Sequence, residues 1–138
     1  MPHRREIGHE EARDLVTRVG ERLDAQGQGA AVAVVDAHGE LVAFLRTDGC
    51  RLASINIAMH KAFTAAREGV ESGVLGERSR TEGFPLSYFG DPRYVGWGGG
   101  VPIIVDGAVI GAIGVSGLPE ADDVELARWA ASGLAANG

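Results

Sequence analysis

The chain has 138 residues, 45% of them hydrophobic, with a formal net charge of −6 and a single cysteine. That length suits one domain, 1–138, able to bury roughly two thirds of its unfolded surface without metal or disulfide staples. The acidic balance and the lack of a Lys/Arg cluster argue against nucleic acid as the partner, and charge or glycine breaks every apolar run short of a membrane-spanning length.

Met1 is followed by "PHRREIGHEEARD", without the apolar core of a signal segment, and Cys50 has no intramolecular partner. A cytoplasmic setting is therefore expected, with residues 1–8 flexible. Over 10–26, Ala12, Leu15, Val16, Val19 and Leu23 recur at helical spacing, and "GQG" ends the first helix. Residues 30–36 and 40–47 are β-rich runs joined by "AHG", too short a link for anything but an antiparallel hairpin. Over 51–67, Leu52, Ile55, Met59, Phe63 and Ala66 share one face of a second helix. Residues 69–100 show no sustained period and are rich in Gly, Pro and aromatics, which reads as a long functional loop with room for a short helix or an edge strand. Residues 101–105 and 108–116 flank "DG", the strongest two-residue hairpin signal, and 119–134 form a third helix with Glu120, Asp122 and Asp123 in its first turn. The order predicts an α+β fold: an antiparallel sheet built from two hairpins, with flanking helices.

Most chemical motifs fail on this frame. "GWGGGV" lacks the third glycine of a dinucleotide fingerprint and opens a strand, and no GxxxxGK[ST] exists. "GVSGL" places Ser116 between strand and helix as in a nucleophile elbow, but Leu118 takes the last position, leaving a turn serine as the plainer role. The four histidines form no HxxxH or HExxH pair, so a structural zinc site has no support, and Glu120, Asp122, Asp123 and Glu125 either chelate a hard cation or, as the plainer role, complement a helix dipole. Asn56, His60 and Thr64 form a polar stripe with Lys61 beside it, either a solvated flank or one wall of a pocket. The other wall would be Gly98, Gly99 and Gly100, with their amides facing a ligand. Before them, Arg78, Arg80, Phe84, Tyr88, Phe89, Arg93, Tyr94 and Trp97 would wall off a small carboxylated molecule or else pack a subunit interface.

Three stretches then carry a resemblance: "AVAVVDAHGELVAFLRTDG", "ASINIAMHKAFTAA" and "GGGVPIIVDGAVIGAIGVSGLPEADDVELA". In order and spacing they resemble the GlcG/HbpS-like family of haem-binding proteins, also found as the C-terminal domain of PduO-type proteins, from Ala30 to Leu134. The matching motif positions are Asp36, Gly39, Arg46, Asp48, Gly49, Lys61, Thr64, Gly99, Gly100, Pro102, Gly111, Gly114, Ser116, Gly117 and Asp123. The resemblance implies a profilin-like, three-layer arrangement and a homo-dimer or higher oligomer. This chain departs from the family at Thr47 and Cys50, and in its loop rich in aromatic and basic residues.

Two functions follow as expectations. One is a haem or small-ligand binder, with the ligand between the second helix and the glycine run, touching Asn56, Thr64, Phe84, Trp97, Gly98, Gly99, Gly100 and Ser116, and with His60, His38 or Tyr88 on the haem iron. The other is a cofactor-independent isomerase, lyase or hydrolase for a small carboxylated or carbonyl metabolite, with catalytic residues His60, Lys61, Arg80 and Tyr88. In it His60 or Lys61 is the base, Lys61 alternatively forms a Schiff base, and Arg80 or the glycine amides hold developing negative charge. A purely structural assembly partner is the third alternative.

Overall fold

A computed structural model describes residues 5–137, and side chains as far as residue 134. The elements run α1 (His9–Ala25), β1 (Ala31–Asp36), β2 (Leu41–Arg46), α2 (Ala53–Glu68), α3 (Ser72–Glu82), a 3-10 turn (Leu86–Phe89), β3 (Gly100–Val105), β4 (Ala108–Ser116) and α4 (Glu120–Asn137). The four strands form one antiparallel sheet in the order β2-β1-β4-β3. Helices α1 and α4 pack on one face and α2 on the other, which is the expected α+β, three-layer architecture. β1 reads as an unbroken apolar run because it lies between two strands and under helices on both faces. The β3–β4 turn places Asp106 and Gly107 at φ 52° and 77°, the left-handed pair that "DG" supplies.

The two faces differ in chemistry. Against α1 and α4 the sheet presents Val32, Val34, Ile103, Ile113 and Val115, a core of large side chains. Against α2 it presents Ala31, Ala33, Val35 and Ala112, met by Ala58, Ala62, Ala65 and Ala66. A Cβ at Gly114 would collide with the Ala58 carbonyl oxygen, and one at Gly100 with that of Lys61, so the α2 backbone lies directly on the sheet. The predicted packing face of this helix is corrected accordingly. Phe63 and Ala66 of the predicted face are buried, but Leu52 is 77% exposed and Ile55 and Met59 are only half-buried, because the helix backbone lies so close to the sheet that alanine fills most of the gap.

Two further expectations change. Residues 69–100 are not an irregular loop throughout but contain α3. Its glycines hid it, and they are there because Gly73 and Gly76 face Gly98 and Gly96 in direct backbone apposition. Within the supposedly flexible start, Ile7 is buried and its amide donates to the Ile110 carbonyl at 2.9 Å, so the chain is anchored from there; residues 1–4 lie outside the described residues. No described helix is long and apolar enough to cross a membrane.

Candidate ligand cleft at the Lys61–Asp123 pair

Close packing of α2 leaves one long polar side chain inside. Lys61 is 2% exposed and reaches past the sheet, where its Nζ donates to the Val115 carbonyl at 2.9 Å and to Asp123 Oδ2 at 3.2 Å. Asp123, 3% exposed, accepts the Leu118 amide on Oδ1 at 3.1 Å. Burial raises the Asp123 carboxyl above its ordinary range, and the Lys61 charge opposes that rise. One ion pair thus fastens α2, the end of β4 and the first turn of α4 together. Reading Asp123 as a helix-dipole acid missed this role; its place among the matched motif positions was the one signal of it.

Beside the pair opens a cleft of about 300 Å³, between the N-terminal ends of α2 and α4, lined by Ser54, Lys61, Trp97, Ser116, Glu120 and Asp123. Lys61, Trp97 and Ser116 had been singled out in the sequence; Ser54 had not, since a serine in a first helical turn carries no distinguishing pattern. A second cleft of about 310 Å³ lies on the other side of residues 94–97, where Ser79, Arg80, Leu86 and Tyr94 surround it. Trp97, 57% exposed, lines both.

Two of the three amides of the glycine run are not free for a ligand as expected. Gly98 N–H donates to Glu120 Oε2 at 2.7 Å and Gly100 N–H to Ser72 Oγ at 2.8 Å, so both are already engaged. Gly99 sits at φ 124°, and a Cβ there would lie 2.6 Å from the Val115 carbonyl oxygen and 2.9 Å from Lys61 Nζ. These glycines serve close backbone approach rather than a ligand surface. Thr64 is a clamp of the same kind, accepting the Val95 amide at 3.0 Å and donating to the Arg93 carbonyl at 3.4 Å.

The remaining predicted residues scatter. His60 is half-buried, its pKa lowered by burial first and by the Arg93 charge second, with Asp91 opposing, and it lines neither cleft; Asn56 is exposed. Arg80 pairs with Glu77 at 2.9 Å on the surface of α3, and Tyr88 is 78% exposed on the 3-10 turn. His38 is exposed beside Glu6 at 3.5 Å. Phe84 belongs to an aromatic chain in which Phe89 stacks on Tyr94 at 4.5 Å and Tyr94 meets Phe63 edge-on at 5.3 Å. Arg93 lies 3.9 Å over Phe63, and its hydrogen bonds hold the Asp91 carboxyl down to about 2. The proposed catalytic set His60, Lys61, Arg80 and Tyr88 is therefore not brought to one place. Among the described residues, no group of three or more His, Cys, Asp or Glu would hold a metal ion.

Comparison with known proteins agrees with this frame. The Escherichia coli K12 protein GlcG is 33% identical over 117 residues, covering 80% of this chain and 81% of its own. A double mutant of Streptomyces reticuli HbpS superposes with a TM-score of 0.85 at 30% identity, covering 97% of this chain and 90% of that one. The PduOC–haem complex superposes with a TM-score of 0.82 at 26% identity, covering 92% and 94%. A family model described as haem degrading protein HbpS-like matches residues 7–132, and with nearly the whole chain covered, the protein belongs to the HbpS-like family.

Proposed function

We propose that the protein binds haem or another flat organic ligand in the cleft between the N-terminal ends of α2 and α4, with Trp97 as its apolar wall. Kinship with the haem complex of PduOC supports the ligand class. One observation carries the location: an indole exposed over half its surface, on a strap of glycines that α3 and the first turn of α4 hold by direct contact, beside a buried ion pair. A large aromatic left in water on a braced backbone is what a ligand face requires, and covering it recovers hydrophobic free energy.

The cleft fits haem in part. Ser54, Lys61 and Arg51 suit the acidic edge of a tetrapyrrole, and Ile57, Leu118 and Trp97 suit its rim. No His, Cys, Tyr or Met is among the lining residues, so an iron ligand has to come from outside it. His60, half-buried on the same helix with its pKa lowered chiefly by burial, is the candidate.

A haemin titration followed through the Soret band tests this. Wild type is expected to saturate and Trp97→Ala to bind about tenfold more weakly or worse. His60→Ala is expected to shift the Soret maximum while binding stays saturable. A non-saturating wild type, or a Trp97→Ala protein that titrates like wild type, overturns the reading.

A further inference from the structure

We infer that the cleft recognises a carboxylate: Ser54, Ser116 and the Lys61 ammonium form an anchor for the acid group of a monoanionic organic ligand, with Arg51 at the rim. This inference rests on the cleft being the binding site and names the group it selects.

Among the described residues five serines and threonines are buried: Thr47, Ser54, Thr64, Ser72 and Ser116. Thr47 bonds to Ala30 N and Gln28 O, Thr64 to Val95 N and Arg93 O, and Ser72 to Gly100 N and Trp97 O. Ser54 and Ser116, each 5% exposed, have no side-chain partner among the described residues, and these two line the same cleft. Among the described residues no fully buried side-chain polar atom lacks a partner, so the Ser54 and Ser116 hydroxyls, which have none in the protein, open onto the cleft, where a ligand can replace the water that serves them.

The balance of donors and acceptors sets the ligand's chemistry. The two carboxylates of the cleft already accept backbone amides, Asp123 from Leu118 and Glu120 from Gly98. Lys61 donates two of its three protons to Val115 and Asp123 and keeps one. Two hydroxyls, one ammonium proton and the Arg51 guanidinium therefore await an acceptor. Helix α2 adds to this: no side chain caps its N-terminus, its first turn carries no acid, and Ala53 and Ser54 of that turn line the cleft.

Charge and walls narrow the class further. Arg51 and Lys61 are matched by Glu120 and Asp123, so the cleft has no surplus positive charge for a dianion such as phosphate. Ile57, Leu118 and Trp97 provide apolar contact for a carbon skeleton. An organic monocarboxylate meets both conditions, whether a free acid or one propionate of haem.

The test uses benzoate, with benzamide as its neutral counterpart and inorganic phosphate as a dianion, on uniformly ¹⁵N-labelled protein. Benzoate is expected to saturate and to shift the Ser54 and Ser116 amides and the Trp97 indole, with benzamide and phosphate at least about tenfold weaker. Ser54→Ala/Ser116→Ala is expected to lose benzoate affinity by about tenfold or more, at unchanged Tm because neither hydroxyl has a partner to lose. A haemin arm separates the two sources. If the double variant weakens haemin but not its dimethyl ester, the acid is a haem propionate; if benzoate binds and haemin does not, the haem reading falls while the carboxylate anchor stands. Absent benzoate binding, an unaffected double variant, or tighter phosphate than benzoate overturns the inference.

Discussion

Lys61→Met is expected to lose about 3–5 kcal/mol of stability at pH 7, because it leaves the Asp123 carboxylate buried without its counter-charge. Replacing both partners, Lys61→Met with Asp123→Leu, is expected to recover most of that loss, since two apolar side chains require no mutual compensation. The single variant should also depend on pH. Burial already raises Asp123 in the folded protein, and removing Lys61 removes a group that holds it down. The folded variant then keeps a proton at pH values where the unfolded chain, with an ordinary carboxylate pKa of about 3.9, has released it. More protons bound in the folded state means stability that rises as pH falls, so the deficit shrinks between neutrality and about pH 4. Urea unfolding of the three proteins at pH 5 and pH 7 decides this. A deficit independent of pH, or a double variant no better than the single one, removes the ion pair from its structural role.

Gly100→Ala carries the second large effect, a loss of about 3 kcal/mol or more from overpacking. Its Cβ would collide with the Lys61 carbonyl oxygen and sit 2.8 Å from Ser72 Oγ, and the obstructing oxygen is backbone, which cannot swing aside. Gly114→Ala, blocked by the Ala58 carbonyl, should behave likewise. The control is Gly27→Ala: that residue has φ 65° but nothing within 4 Å of the added carbon, so it should lose only about 1 kcal/mol for its left-handed backbone. If Gly100→Ala costs no more than Gly27→Ala by urea unfolding, α2 does not rest on the sheet as closely as described. The same geometry makes Gly99→Val a folding defect rather than a clean probe of ligand binding.

Those glycines show where local sequence stops being informative. "GWGGG" is visible at once as a run that surrenders side chains, and it marks a place where something comes close. What comes close is decided only in three dimensions: α3 behind Gly96 and Gly98, Glu120 in front of Gly98, Lys61 against Gly99 and Gly100. The consequence for function is that Trp97, the one side chain in the run, stands between two clefts.

By itself the sequence determined the antiparallel sheet, its two hairpins and three of the four longer helices, because period-2 and period-3.6 patterns and the "DG" and "AHG" turns are local signals. It also carried the family, through motif positions that the fold largely explains, such as Gly39 at φ 94° and Gly117 at φ 126°, whose conformations favour glycine. Tertiary structure alone decided the α2 packing face, since alanine is chosen by the gap it must fill and not by its own hydrophobicity. It alone revealed α3, whose helical surface is coded by contact with glycine rather than by apolar spacing. And it alone joined Lys61 to Asp123, 62 positions apart, and turned Ser54 and Ser116 toward one cleft, because charge pairing and the lining of a cleft are properties of neighbours in space.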